Sequence, residues 1–71
     1  MSRNVVIFGK STCPYTNKAR RVYGKRGFFV EYFDVTGDAD ALQRMLKYSN
    51  GKREVPVIVE GEKVTIGFGG T

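Results

Sequence analysis

A chain of 71 residues, 41% of them hydrophobic and 27% charged, has the length and composition of one small folded domain rather than of a disordered segment. One cysteine and no histidine exclude an internal disulfide, a multi-cysteine or histidine-rich metal site and every mechanism that needs a histidine base. The formal net charge of +5 at pH 7 favours an anionic partner, which is nucleic acid, an acidic protein or a small carboxylate ligand.

The first half of the chain predicts a strand, a helix and a second strand. Residues 4–8, NVVIF, are almost entirely apolar and predict a central strand buried on both faces. Residues 14–26 predict a helix, with Pro14 suited to its first turn and Gly27 placed to end it. The aromatic and β-branched residues 28–35, FFVEYFDV, predict the second strand. The predicted apolar face of the helix consists of Tyr15, Ala19, Val22 and Tyr23.

The second half predicts a helix followed by a hairpin. Asp38 or Asp40 is placed to cap the start of the helix, and Gly51 is placed to end it as a left-handed cap. The apolar runs 55–59 and 63–66 flank the turn sequence EGE, which predicts two antiparallel strands. The predicted apolar face of this second helix consists of Ala41, Leu42, Met45, Leu46 and Tyr48.

These elements predict an α/β domain over residues 1–71 with the order β-α-β-α-β-β. A strand-helix-strand crossover is nearly always right-handed, so the first two strands should be parallel. Because the last two strands should be antiparallel, the four-stranded sheet is expected to be mixed.

The single cysteine, Cys13, lies immediately before the predicted first helix. Unpaired backbone N–H groups and the helix dipole favour an anion there, and a thiolate is such an anion. A lone cysteine is also often a small buried hydrophobe. The surrounding Gly, Ser, Thr and Pro residues and the nearby bases argue against burial, so we interpret Cys13 as a reactive thiol.

The positive charge is concentrated in the first part of the chain. Residues 1–30 contain seven lysines and arginines, and the first acidic residue is Glu31. The apolar run near the N-terminus is too short for a signal-peptide core or a membrane span, so we expect a cytoplasmic protein. Four bases of the first helix are interpreted as a solvated face, namely Arg20, Arg21, Lys25 and Arg26.

Several motifs in order resemble the glutaredoxin family of the thioredoxin fold. They are GKS followed by CPYT, then VPVIV, then a closing glycine pair, and they extend over nearly the whole chain. The resemblance implies a glutathione-linked thiol-disulfide oxidoreductase that takes glutathione as co-substrate. The expected partners are glutathionylated or disulfide-containing proteins. We expect no metal cofactor, no membrane association and no binding to a specific nucleic acid.

The resemblance also implies roles for individual residues. Cys13 is expected to be the nucleophile, with the proline of Val55–Pro56 in the cis form facing it. Lys10 and Arg53 are expected to bind glutathione carboxylates. The full set of implied glutathione contacts is Lys10, Tyr15, Arg53, Val55, Pro56, Gly69 and Gly70.

Each role has a plainer alternative. Pro56 is also compatible with a trans proline in an edge strand, because a central strand seldom tolerates proline. Lys10 and Arg53 are also compatible with solvated surface charges, and Tyr15 with ordinary packing.

The chain departs from the family pattern in several respects, which include Glu54 in place of the usual threonine before Val55–Pro56 and no acidic residue after the glycine pair. Two further departures bear on the mechanism and the fold. Thr16 replaces the second cysteine of the usual Cys-Pro-Tyr-Cys motif, which predicts a monothiol mechanism. The family's last helix has no counterpart in the 71 residues, which predicts either a reduced or dimeric fold, or a chain that continues past Thr71. Residues 65–71, TIGFGGT, also resemble glutaredoxin-like proteins of which some end in selenocysteine, so a second cysteine or a selenocysteine would then follow.

Three other functions stay open from the sequence. Gly67 and Phe68 resemble a feature of redoxins that are reduced by thioredoxin reductase. Some monothiol glutaredoxins carry a [2Fe–2S] cluster between two protomers, although they usually have glycine where this chain has Pro14. The basic half and the nine aromatic residues also fit a basic nucleic-acid-binding module, without a recognised motif.

Overall fold

The computed structural model describes residues 3–68, and the order of its elements is the predicted β-α-β-α-β-β. The sheet order is β2-β1-β3-β4, with β1 and β2 parallel and the two other pairs antiparallel, which confirms the mixed sheet and the central first strand. The elements are β1 Arg3–Gly9, α1 Pro14–Lys25, β2 Phe28–Asp34, α2 Ala39–Ser49, β3 Val57–Glu60 and β4 Lys63–Ile66.

Each face of the sheet packs against one helix. Side chains alternate along β1, so Val5 and Ile7 contact the α1 side while Phe8 contacts the α2 side. This two-sided burial explains the continuous apolar run of the first strand. The core on the α1 side consists of Val5, Ile7, Ala19, Tyr23 and Ile58. The core on the α2 side consists of Phe8, Val35, Ala41, Met45, Val57 and Val59.

The buried face of α1 differs from the predicted one at its first turn. Ala19 and Tyr23 are buried as expected, but Tyr15 is 39% exposed and Thr16 is completely buried. The short side chain of Thr16 packs so closely against the backbone of Gly9 at the end of β1 that a β-carbon added at Gly9 would overlap it. The prediction that Tyr15 belongs to the apolar face was therefore wrong.

The ends of α2 follow local capping rules. Asp38 is the N-cap, and its carboxylate accepts a hydrogen bond of 3.1 Å from the N–H of Ala41. The left-handed C-cap is Asn50, with φ of 59°, and Gly51 follows it with φ of 85°. The predicted cap at Gly51 was thus one residue late, because Asn is the non-glycine residue that most readily adopts this conformation.

Neither helix within residues 3–68 has the length and apolar character needed to cross a membrane.

Candidate active site

Cys13 is the N-cap residue of α1, as the sequence predicted. Its backbone is extended, with φ of −89° and ψ of 118°. Its N–H donates to the carbonyl of Lys10 at 3.0 Å, and its carbonyl accepts from the N–H of Asn17 at 3.1 Å. The loop after β1 therefore turns tightly and presents a partly exposed thiol at the start of the helix.

The surroundings of Cys13 favour its thiolate. Partial removal of water alone would raise the pKa of the thiol. Hydrogen bonds from the N–H and the hydroxyl of Thr16 and from the N–H of Tyr15, together with the charge of Lys10, outweigh this effect. The pKa of Cys13 consequently lies below the ordinary cysteine value, which increases the fraction of the nucleophilic form.

Thr16 contributes more to the site than the sequence suggested. Its Oγ1 accepts a hydrogen bond of 3.4 Å from the N–H of Lys10, so the hydroxyl proton stays available for the thiolate of Cys13. The sequence identifies Thr16 only as the residue that replaces the second cysteine and does not predict this hydrogen bond. The spacing of residues 16, 19 and 23 at i, i+3 and i+7 is the signal that places its side chain on the buried face.

The loop between β1 and α1 is also tied to the end of β2. The side-chain amide of Asn17 donates to the carbonyl of Ser11 at 2.8 Å, and the N–H of Ser11 donates to Asp34 Oδ2 at 3.4 Å. The hydroxyl and the N–H of Thr36 donate to Asp34 Oδ1. These donors, with the Thr36 hydroxyl contributing most, lower the pKa of Asp34 to about 2.

A cavity of about 340 Å³ brings together three of the predicted glutathione contacts. Lys10, Arg53 and Val55 line it, although Lys10 and Arg53 are 43 positions apart in the chain. Its remaining lining residues are Val35, Thr36, Leu42 and Met45. The cavity thus combines two cations with an apolar floor.

The other predicted contacts lie in different places. The Val55–Pro56 peptide bond is cis, and Pro56 is fully buried, with its carbonyl accepting from the N–H of Gly67 at 2.7 Å. Phe8 pairs with Val57, so the proline lies beside the end of β1 and the loop that carries Cys13. Neither Pro56 nor the half-exposed Tyr15 lines the cavity. Gly69 and Gly70 lie outside the described residues.

Within residues 3–68, no group of three or more Cys, Asp or Glu side chains is placed to hold a metal ion.

Comparison with known proteins relates this arrangement to one family. The glutaredoxin family model matches residues 5–64. The chain is 34% identical over 55 residues to glutaredoxin 3 of Escherichia coli K12, an alignment covering 78% of this chain and 65% of that protein. It is 36% identical over 67 residues to glutaredoxin-1 of Rattus norvegicus, covering 86% of this chain and 62% of that protein. The chain thus spans less than two thirds of the length of both curated relatives.

Solved structures share the fold. A glutaredoxin from Archaeoglobus fulgidus superposes with a TM-score of 0.80 at 24% identity, over 92% of this chain and 75% of that one, which concerns the fold alone. The NrdH-redoxin of Escherichia coli has a TM-score of 0.77 at 25% identity, over 92% and 83% of the two chains. A buckwheat glutaredoxin–glutathione complex has a TM-score of 0.72 at 25% identity, over 92% and 61%. With the thioredoxin-like architecture and a family model matched from Val5 to Val64, this chain belongs to the glutaredoxin family.

Proposed function

We propose that this protein is a glutathione-linked thiol-disulfide oxidoreductase that removes glutathione from protein-glutathione mixed disulfides. The observation that carries the proposal is the Cys13 thiol with its lowered pKa at the N-terminus of α1. A thiolate, not a thiol, attacks a disulfide, so this position supplies the nucleophile that the reaction needs.

In the first step the Cys13 thiolate attacks the glutathionyl sulfur of the substrate. A bond forms between Cys13 Sγ and the glutathione sulfur while the disulfide bond to the substrate protein breaks. The substrate cysteine leaves as a thiolate and takes a proton from water. Two electrons thereby pass to the substrate cysteine, and Cys13 ends in a mixed disulfide.

In the second step the thiolate of another glutathione attacks the glutathione sulfur bound to Cys13. Glutathione disulfide is released and the Cys13 thiolate is regenerated, so one cysteine is enough for a full cycle. This monothiol mechanism fits Thr16, which supplies a hydrogen bond to the thiolate where a dithiol enzyme has its second sulfur.

The proposed binding site for glutathione is the cavity lined by Lys10, whose charge also acts on the Cys13 thiol. Glutathione carries two carboxylates, and Lys10 and Arg53 offer two cations across the apolar floor of the cavity. We assign the backbone of Val55 to the cysteine part of glutathione, and Tyr15 and Pro56 to the walls next to the sulfur. Gly69 and Gly70 are assigned to the γ-glutamyl end. The buckwheat complex with glutathione supports this choice of ligand.

The test is the glutathione-dependent release of glutathione from a glutathionylated peptide, measured for the wild type and for Cys13→Ser. We expect turnover in the wild type and none in the variant, with both proteins giving the same circular dichroism spectrum. Turnover that survives in Cys13→Ser contradicts the assignment of the nucleophile. A wild type that is inactive with every glutathionylated substrate contradicts the proposal.

A second candidate function is a redoxin reduced by thioredoxin reductase. The likeness to NrdH-redoxin, whose structure is described as having a thioredoxin-like activity profile, covers 83% of that chain. Gly67 and Phe68 resemble this group as well. Because the 71 residues contain one cysteine, the oxidised form is a mixed disulfide of Cys13 with an external thiol. Reduction of that disulfide to the Cys13 thiol and the released external thiol by NADPH and thioredoxin reductase, without added glutathione, would favour this candidate over the first.

A further inference from the structure

A second cavity lies on the α1 face of the sheet, whereas the cavity lined by Lys10 and Arg53 lies on the α2 face, and the second cavity plays no part in the proposed chemistry. It has a volume of about 610 Å³ and lies between α1 and the outer edge of β2. We call it the α1–β2 groove. It is lined on the helix side by Asn17, Arg20 and Arg21, and on the strand side by Phe28, Val30 and Tyr32.

The groove carries two cations that have no acidic partner. Within the described residues, no carboxylate forms an ion pair with Arg20 or Arg21. The Arg20 guanidinium lies 4.0 Å from the centre of the Tyr32 ring and donates to Asn17 Oδ1 at 3.5 Å. Arg20 is exposed, as the sequence predicted, and its guanidinium is in addition oriented by the Tyr32 ring. A guanidinium held in this way has further N–H groups with which to bind a carboxylate.

The strand side of the groove is an unpaired sheet edge. Among residues 3–68, β2 is the outermost strand and its one pairing partner is β1. The N–H of Val35 donates to the carbonyl of Gly9 across that pair, so alternation along the strand directs the N–H and C=O groups of Val30 and Tyr32 to the open edge. Such an edge can pair with an added extended segment.

The groove begins close to the thiol. Asn17 lies one helical turn after Cys13, and the helix side of the groove extends to Gly24, which corresponds to about 10 Å along the axis of α1. A peptide whose cysteine is attacked by Cys13 would have its neighbouring residues within reach of the groove.

β2 contains two acidic residues. Glu31 alternates to the opposite face from Val30 and Tyr32, whereas Asp34 shares their face and its carboxylate interacts electrostatically with Tyr32 at the end of the strand nearest the Cys13 loop. On this face the two cations, Arg20 and Arg21, outnumber the one carboxylate of β2.

We propose that the α1–β2 groove binds an acidic, extended segment of the substrate protein, added along the edge of β2 with its carboxylates on Arg20 and Arg21. This inference rests on the proposed function, because it places the segment next to the cysteine that Cys13 attacks. The alternating donors and acceptors of a strand edge match a peptide backbone, which favours a peptide over nucleic acid.

The first test measures binding without catalysis. The probe is a fluorescein-labelled, cysteine-free peptide of alternating Glu and Val, compared by fluorescence anisotropy with the same peptide containing Gln for Glu. We expect the Glu peptide to bind about tenfold more tightly, and Arg20→Glu/Arg21→Glu to remove this preference. The matched control, Lys47→Glu/Lys63→Glu, changes the net charge equally at exposed residues away from the groove and should retain the preference.

The second test uses glutathionylated versions of the two peptides. We expect the ratio of kcat/KM for the acidic over the neutral peptide to be about ten in the wild type and the control, and about one in the Arg20/Arg21 variant. Arg21→Gln, which removes one exposed cation, should give an intermediate ratio. A wild-type protein that is inactive with both glutathionylated peptides would contradict the proposed function. The anisotropy measurement would still show whether the groove binds the acidic peptide, because it does not depend on catalysis.

Two results would overturn the groove proposal. One is that Lys47→Glu/Lys63→Glu loses the preference for the Glu peptide as completely as Arg20→Glu/Arg21→Glu does, which would show that the preference depends on the net charge of the protein and not on the groove. The other is displacement of the acidic peptide by a single-stranded oligonucleotide at lower concentration than by unlabelled peptide, which would assign the groove to nucleic acid.

Discussion

The side chain of Thr16 lies directly against the backbone of Gly9. A β-carbon added at position 9 would lie 2.4 Å from Thr16 Cγ2 and 2.5 Å from its Oγ1. We therefore expect Gly9→Ala to lower the free energy of unfolding by about 1–3 kcal/mol through overpacking. Gly37→Ala is the matched control. A β-carbon added at Gly37 has no heavy atom within 4 Å other than those of its chain neighbours, and φ there is not positive, so this substitution should have little effect. Urea denaturation of the three proteins measures both values.

A double-mutant cycle tests the cause of that destabilisation. Thr16→Ala removes the two atoms nearest to the added β-carbon, so Gly9→Ala should cost less in that background. The same cost in both backgrounds would show that the strain at Gly9 comes from elsewhere.

The hydroxyl of Thr16 is expected to tune the thiolate. Thr16→Val keeps the shape of the side chain but removes the hydroxyl hydrogen bond, so the pKa of Cys13 should rise while the backbone N–H groups keep part of the effect. The measurement is the rate at which Cys13 is alkylated as a function of pH. Because a hydrogen bond to a charged group contributes about 1.5–3 kcal/mol, this rate should fall by roughly tenfold or more at pH values below the ordinary cysteine pKa.

Thr16→Ser is the matched control for that substitution. It retains a hydroxyl, so its alkylation profile against pH should lie much closer to that of the wild type. Identical profiles for Thr16→Val and the wild type would contradict the role of the hydroxyl.

Lys10 should act on both the thiolate and the anionic substrate. Its charge lowers the pKa of Cys13, and it lines the cavity proposed for glutathione. We expect Lys10→Gln to raise the pKa of Cys13 and to raise KM for a glutathionylated substrate by about three- to tenfold. The wild-type KM should increase with ionic strength, and that of the variant should increase less. Lys63→Gln, on β4, is the control and should keep the wild-type KM and its salt dependence. If KM of Lys10→Gln depends on salt as that of the wild type does, Lys10 does not contact the anionic substrate directly.

Asp34 should make stability depend on pH at the acidic end. Its pKa is lowered to about 2 in the folded protein, whereas the pKa of an aspartate in an unfolded chain is about 3.9. A lowered folded-state pKa stabilises the protein above the unfolded value, and this stabilisation is lost as pH falls from about 4 towards about 2. The urea midpoint should therefore fall more steeply in this window for the wild type than for Asp34→Asn.

Asp40→Asn, in the exposed first turn of α2, is the control for the loss of one carboxylate. Its profile should follow that of the wild type. Parallel profiles for Asp34→Asn and the wild type would show that the bonds to Thr36 and Ser11 do not form in solution.

The sequence alone determined the order of the elements and the position of the thiol. Apolar periodicity, the proline at the start of α1, Asp38 and the hairpin turn are local signals, and each acts within a few residues of the structure that it specifies. The crossover rule then sufficed to make β1 and β2 parallel. For these reasons Cys13 could be placed at a helix N-terminus without knowledge of the tertiary structure.

Only the tertiary structure decided which side chains meet. The sheet order brings Lys10, Arg53 and Val55 around one cavity, and no local pattern encodes a distance between residues 43 positions apart. The exchange of Tyr15 for Thr16 on the buried face depends on how closely α1 approaches Gly9. The stacking of Arg20 on Tyr32 likewise depends on the packing of a helix against an edge strand. Local sequence fixes the elements because their hydrogen bonds and caps are local, whereas the site depends on contacts that form only when those elements pack together.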